Sequence, residues 1–530
     1  MQIDSIEDLE AVENKIRLMI QQHDLENVLL GLRQASDKLE PFMIAGITLF
    51  AIRHCTAGHR TPTYRALELS RLAPLADLVT QYLLTDPLTF DPTIQQDFYN
   101  SNLAFTMLRL VGSQMPYNIS LFGQHAQPLI LYHEIPKQLA ERINIPRFDF
   151  EASFEKINGV SLTDFIKAGF AAFIAAQSQQ GFTRSYFKRA RSEGINLPED
   201  KDIVLALDKL AADTKKLKKL YRSYRLHDRR FGMYDFNPLF LHPIVRPWRQ
   251  KKAAPIDQDR MIAPIPELIA FRISMGIYYQ MFNRYGNKFS NYFGHVFEAY
   301  VGRILQNSVP AGTLLSEDDI RKTYPTDRGK VSDWIIIEGS TAILIECKAT
   351  RFSRAALTTG TEDVINDSLK QVMKGLRQLH EFREACTAKQ PGLEASYACT
   401  EFRPVLITLE PLYLVNSDLF REHIDDKLAA EGITNLPWLI LAVDELEKLQ
   451  PHMAAGIGLD KILDDRNEKP LNTILEELHS QTGRTYKDSF LYDAGDRELY
   501  ERLGLKPVLE RCIKAKNLLR ETETSHPPLR

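Results

Sequence analysis

Apolar residues recur at three- and four-residue spacing through Ile6–Gln34, Tyr64–Leu84 and Leu162–Gln180. That is the period of an amphipathic helix, so the first 265 or so residues are expected to be mostly helical. Prolines at 74, 87, 92, 116, 128, 136, 146 and 198 punctuate the pattern. The character changes over 266–450. A helix-like stretch, Glu267 to Gln306, leads into the strand-like segments Val331–Glu338, Thr341–Lys348, Arg403–Leu409 and Leu436–Val443. One amphipathic helix, Ile365–Phe382, falls between the second and third of these. Strands interleaved with helices predict an α/β domain with a mixed sheet flanked by helices. From Glu445 onward the chain again reads as helical, with a frayed tail at Glu521–Arg530. The expected plan is a multidomain protein: a helical region over 1–265, an α/β domain over 266–450 and a helical C-terminal extension over 451–530.

Composition narrows the class. With 530 residues, 44% of them hydrophobic and 25% charged, the chain can build several cores and is neither disordered nor a disulfide scaffold. The longest apolar run, Phe42–Ile52, has 11 residues, where a membrane span needs about 20. The N-terminus is acidic and has no signal-peptide pattern. Five scattered cysteines (55, 347, 386, 399 and 512) form no CxxC pair, so a reducing cytoplasm is expected and a cysteine zinc site is not.

Net charge is −3, from 66 basic and 69 acidic residues, so attraction to nucleic acid must be local. Lys209–Lys252 supplies such a patch, with 13 Lys or Arg against three Asp. Leu205, Leu207, Leu210, Leu217, Leu220 and Tyr221 suggest one apolar helix face, and Lys215, Lys216, Lys218, Lys219, Arg222, Arg225, Arg229 and Arg230 carry the charge. Tyr221, Tyr224, Phe231, Tyr234 and Trp248 are interleaved. Cations beside rings suit a phosphate backbone and stacked bases; the plainer reading is a solvated basic helix.

The informative segment is Val331–Thr350. Two β-rich runs flank Gly339-Ser340, a favoured pair for a two-residue hairpin turn. That turn places Asp333 directly across from Glu346, where facing Cβ atoms lie about 4.5–5.5 Å apart. Alternation puts Glu346 and Lys348 on one face of the strand, and Ile343, Ile345 and Cys347 on the other. Facing carboxylates repel, and a divalent cation removes the conflict. Mg²⁺ takes oxygen ligands, to which the Cys347 main-chain carbonyl adds one.

Asp333, twelve residues and then Glu346-Cys347-Lys348 in an apolar strand resemble the core of the PD-(D/E)xK nuclease superfamily. Upstream, Gly294-His295-Val296-Phe297-Glu298 resembles the family's first core helix, whose glutamate assists metal binding directly or through water. Downstream, Gln371, Lys374 and Gln378 share a face of the Ile365–Phe382 helix, as in the helix that offers a Gln or Lys to the active site. The resemblance covers about 150–180 residues. It departs where Ser332 replaces the proline, and in the 16-residue connection from Lys348 to Ile365, which carries Arg351 and Arg354.

The resemblance implies a Mg²⁺-dependent phosphodiesterase, with Mn²⁺ able to substitute. Asp333, Glu346 and the Cys347 carbonyl would hold the metal, and Lys348 would stabilise the transition state. Glu298 would hold a water or second metal, and Gln371 would orient water or phosphate. DNA is favoured over RNA and endonuclease over exonuclease action, with the basic segment and Arg351 binding the strand. A homodimer would suit double-strand cleavage. A bacterial defence or mobile-element role, and a protein regulator, follow by analogy only. Two other readings compete: a catalytically inactive nuclease-fold scaffold that binds nucleic acid, and a helical effector that binds protein.

Other motifs fail on spacing. His54, Cys55 and His59 match no zinc pattern. His133-Glu134 lacks its second histidine, since residue 137 is Lys, and Gly456-Ile457-Gly458 has Lys461 in place of the last glycine. There is no GxxxxGK[ST] loop and no GxSxG elbow. Glu13-Asn14-Lys15 matches ExK inside a helical pattern, without a facing aspartate. Asp444-Glu445 reads as a helix N-terminus.

Overall fold

The computed structural model describes residues 3 and 5–495, apart from 56–64, 87–100, 118–125, 143–144, 146, 228, 248–259, 311, 354–355, 358–361 and 413, together with residue 510. His59, Trp248, Arg354, Cys512 and the tail Glu521–Arg530 lie outside the described residues. The chain is mostly helical with a small mixed sheet. Among the described residues, no single helix is long and apolar enough to cross a membrane.

Helix boundaries follow local chemistry more closely than the apolar period. The Ile6–Gln34 pattern is two helices, Ile6–Ile20 and Leu25–Gln34, the first capped by Ser5 Oγ accepting from the Asp8 N–H at 3.1 Å. The Glu267–Gln306 pattern is three: Glu267–Arg272, Met275–Tyr285 and Asn287–Gln306. Gly286, at φ +54°, makes the second break in a conformation that favours glycine. Each of the three helices buries apolar residues, so spacing alone hides the breaks. The basic segment also departs from one continuous helix. Strand β1 (Ala211–Asp213) interrupts it and pairs in parallel with β2 (Ile244–Arg246), and Leu205 is exposed rather than packed.

The main sheet has five strands: β3 (Leu314–Ser316), β4 (Trp334–Glu338), β5 (Thr341–Lys348), β6 (Glu401–Thr408) and β7 (Leu439–Ala442), in that spatial order. β3, β4 and β5 are antiparallel neighbours, while β5, β6 and β7 run parallel. Gly339 takes φ +60°, as the first residue of a two-residue hairpin turn requires, and pairs Glu338 with Thr341 and Trp334 with Ile345.

Both faces of this mixed sheet are covered. Ile335, Ala342, Leu344, Leu406 and Ile440 pack under the helices Glu362–Thr387 and Asp418–Ala430. Trp334, Ile343, Ile345, Cys347, Ile407 and Leu441 pack against Asn287–Gln306 and the C-terminal helices. At Gly302 a Cβ would lie 2.0 Å from the Trp334 ring, so the missing side chain lets that helix reach β4. The same core continues into helices between 126 and 210, so it does not break at the boundary expected near 265. Residues 9–82 build a separate core with segments of 212–268.

Candidate active site

The site sits where β3, β4 and β5 end together. The β4–β5 register places Asp333, just before β4, opposite Glu346. The Asp333 Oδ2 accepts from the Cys347 N–H at 2.6 Å, so a side chain takes over the ladder where the strand pairing stops. On the other flank, the Glu317 N–H donates to the Asp333 carbonyl at 2.8 Å. Asp333 therefore stands between Glu317 and Glu346 in the plane of the sheet. Glu298 reaches the same point from the Asn287–Gln306 helix. Carboxylate oxygens of Glu298, Glu317 and Asp333 lie within 4.8 Å of one another.

Glu346 is only 2% exposed. Its Oε1 pairs with Lys348 Nζ, and its Oε2 is buried without a hydrogen-bond partner. A buried polar atom left in that state costs about 1–3 kcal/mol, and more if charged. The Lys348 stem runs along the Glu362–Thr387 helix at Gly375: a Cβ there would stand 3.4 Å from Lys348 Cγ and only 2.6 Å from Leu406 Cδ1. Glycine lets the helix approach the strand closely enough to hold the lysine in place.

Crowding of like charges sets the electrostatics. Burial, and after it Asp333, push the Glu346 carboxyl up to about 8. Burial, then Asp333, Glu317 and Glu346, likewise push Glu298 up to about 8. Burial lifts Asp333 to about 6, against the opposing pull of the Cys347 N–H and Lys348. Without a further cation, Glu298, Asp333 and Glu346 resist ionising together at neutral pH.

These donors fit a small hard cation. All are oxygens, the class that Mg²⁺ and Mn²⁺ select. At about 2.1 Å per bond, opposite ligands of Mg²⁺ stand about 4.2 Å apart, so the oxygens of Glu298, Glu317 and Asp333, within 4.8 Å of one another, need only small side-chain adjustments; Glu346 stands outside that cluster, on the other side of Asp333. A strand residue's N–H and C=O point to the same neighbour. The Cys347 carbonyl is thus directed to the Asp333 side, while its side chain packs in the core and burial holds the thiol up.

The structure thus gathers Asp333, Glu346, Lys348, Glu298 and the Cys347 main chain. It does not gather the rest of the expected set. Gln371 is exposed and lines a groove between the Glu362–Thr387 and Asp418–Ala430 helices. Arg351 does not stand free as a phosphate ligand. Its guanidinium carbon lies 4.0, 4.9 and 5.4 Å from the ring centroids of Tyr279, Tyr278 and Phe282. Beside it, half-buried Glu410 accepts from the Tyr279 hydroxyl. Arg351 thereby ties the end of β5 to the Met275–Tyr285 helix.

Of the basic segment, Lys215, Lys216, Lys219, Arg222 and Arg225 are exposed, and Lys218 is half-buried. Their helix, Thr214–Tyr224, sinks Leu217 into the residue 9–82 core, away from the sheet's cores. Arg229 and Arg230 open the following 3-10 turn. His54 lies in the Pro41–His54 helix and is pushed down to about 4 by burial, and Cys55 Sγ donates to the Ile20 carbonyl; neither meets a metal-ligand partner among the described residues. Asp444 and Glu445 do open a helix, Val443–Ala454, with Glu445 accepting from the Ala442 N–H.

Sequence reasoning passes over Glu317 and Gly375. A three-residue strand carries too little alternation to recognise. The available signal was Ser316-Glu317-Asp318-Asp319, a helix-start pattern realised here as a reciprocal Ser316–Asp319 capping box. A glycine inside an otherwise amphipathic helix was the signal for Gly375. No protein-family model, curated protein or solved structure matches this chain, so its functional reading rests on the geometry of this site.

Proposed function

We propose that this chain is a metal-dependent nuclease of PD-(D/E)xK type, hydrolysing phosphodiester bonds of nucleic acid. The observation that carries the reading is Glu346: a carboxylate 2% exposed, with one oxygen unshared, opposite Asp333 and paired to Lys348 at a strand end. Burying uncompensated charge is costly, and a fold tolerates it where the charge is used. The helix-covered sheet, with the ExK strand central and Glu298 arriving from a preceding helix, supports the same reading.

Asp333, Glu346 and the Cys347 carbonyl would hold a divalent cation, with Glu298 and Glu317 on the far side of Asp333. Bound there, Mg²⁺ or Mn²⁺ supplies positive charge against a phosphoryl oxygen and makes a coordinated water more acidic. Lys348 donates to a non-bridging phosphate oxygen as charge grows on it. Its pairing with Glu346 restricts where it points. Glu298, half-buried at the rim, would hold a water or a second metal ion there. The favoured substrate is DNA, since most of the resembled superfamily acts on it, with RNA second.

The test is cleavage of labelled DNA and RNA panels with Mg²⁺, Mn²⁺ or EDTA, comparing wild type with Glu346→Ala and Lys348→Ala. Metal-dependent products that disappear in both variants support the reading. Cleavage that survives both substitutions removes this site from consideration. Strand binding without cleavage of any substrate favours a scaffold with a nuclease-like core.

A further inference from the structure

We infer that the groove between the Glu362–Thr387 and Asp418–Ala430 helices carries the phosphate backbone of a nucleic-acid strand to the acidic site; the inference rests on the nuclease reading and names the strand's path. The groove encloses about 570 Å³. Its walls present Lys370, Lys374, Arg377 and Lys427 against one acid, Glu431. That is a local excess of positive charge in a chain whose net charge is −3. Arg377 is held by Glu431, with Nη2 to Oε1 at 2.7 Å, and Lys370 pairs with Asp367 at 2.5 Å. Lys374 and Lys427 form no ion pair among the described residues, which leaves two cations for phosphates.

Position joins this groove to the chemistry. Lys374 precedes Gly375, the residue against which the Lys348 stem lies. Gln371, also on the groove wall, is one helical turn earlier, about 6 Å along the axis. A backbone lying on these side chains meets Lys348 and Glu346 within one turn. The basic helix Thr214–Tyr224, by contrast, is seated on the other core. Among the described residues, no aromatic ring lines the groove. It grips phosphates and is indifferent to base sequence.

The test is fluorescence anisotropy of labelled single-stranded DNA and RNA oligonucleotides, with EDTA present to block turnover. The chain is wild type, Lys374→Glu/Lys427→Glu, or Lys215→Glu/Lys219→Glu/Arg222→Glu in the basic helix. The groove variant should bind at least about tenfold more weakly, with a log–log salt slope smaller by about 1.4, two contacts' worth for a single strand. Lys374→Gln/Lys427→Gln should lose less affinity in the same direction. Mn²⁺ uptake, measured without EDTA, should stay at wild-type level in both. Groove variants that keep wild-type affinity and slope overturn the inference, as does a wild type that binds neither strand. If wild type cleaves nothing yet the groove variants still lose the strand, the groove stands and the nuclease reading falls.

Discussion

Glu346 and Glu447 lie at nearly the same depth, 2% and 1% exposed, and burial pushes both carboxyls up to about 8. Their surroundings differ. Glu447, on the Val443–Ala454 helix, accepts from Gln127 Nε2 at 2.8 Å and from the Tyr300 hydroxyl at 2.7 Å. Those donors are neutral, and a protonated Glu447 completes a satisfied core network. Glu346 faces Asp333, feels Glu298 and Glu317, and keeps an oxygen that nothing shares. Depth and a raised pKa therefore do not identify a working carboxylate. Charge that the fold gathers and leaves uncancelled does.

The largest effect expected from that contrast is on turnover. Lys348→Ala should lower metal-dependent cleavage by about 10²–10³-fold, the scale of losing one preorganised donor to a developing anion. Glu447→Gln should change the rate only a few-fold. An equal loss in both would erase the distinction.

Next comes metal-linked stability. Mn²⁺ at a hundredfold excess over its dissociation constant should stabilise wild type by about 2.7 kcal/mol. The shift should persist in Glu447→Gln and vanish in Asp333→Asn, read as thermal midpoints. It should also be larger at pH 8 than at pH 5.5, because protons compete for the carboxylates of Glu298, Glu346 and Asp333.

A smaller effect concerns pH without metal. The folded chain holds protons on Glu298 and Glu346 up to about pH 8, while unfolded glutamates release theirs near 4.5. The folded state thus binds more protons across that window, and its stability falls as pH rises from about 4.5 to about 8. Urea midpoints in EDTA should show Glu346→Gln gaining on wild type at pH 8. Glu447→Gln removes one raised group too, but Mn²⁺ in place of EDTA should raise its pH 8 midpoint further and leave that of Glu346→Gln unchanged.

The smallest effect belongs to Arg351. Its contacts with Tyr278, Tyr279 and Phe282 are worth about 1–2 kcal/mol in a desolvated setting. Arg351→Ala should lower the urea midpoint accordingly and slow cleavage only a few-fold, through a looser β5 end. A loss as deep as that of Lys348→Ala would return Arg351 to direct phosphate contact.

The legible part of the site is the part fixed by short-range geometry. A two-residue turn at Gly339-Ser340 sets the register of the hairpin, and strand alternation then settles which side chains share a face. From those two facts Asp333, Glu346 and Lys348 could be placed together in advance. Glu317 could not, because its approach depends on an edge strand of three residues paired across the chain. Arg351 was misplaced because a count of charges says nothing of the three rings waiting for it. The core that joins residues 126–210 to the sheet arises from long-range contacts, and spacing within one segment carries no record of them. The breaks at Ser274 and Gly286 left the apolar period intact, so only backbone geometry reveals them.

The most direct measurement is calorimetric titration of Mn²⁺ into wild type, Asp333→Asn, Glu346→Gln and Glu447→Gln at pH 7.5. Uptake by wild type and Glu447→Gln, with loss in the other two, is the predicted result. Failure of wild type to bind Mn²⁺, or undiminished binding by Asp333→Asn, would contradict the claim that these gathered carboxylates are a metal centre.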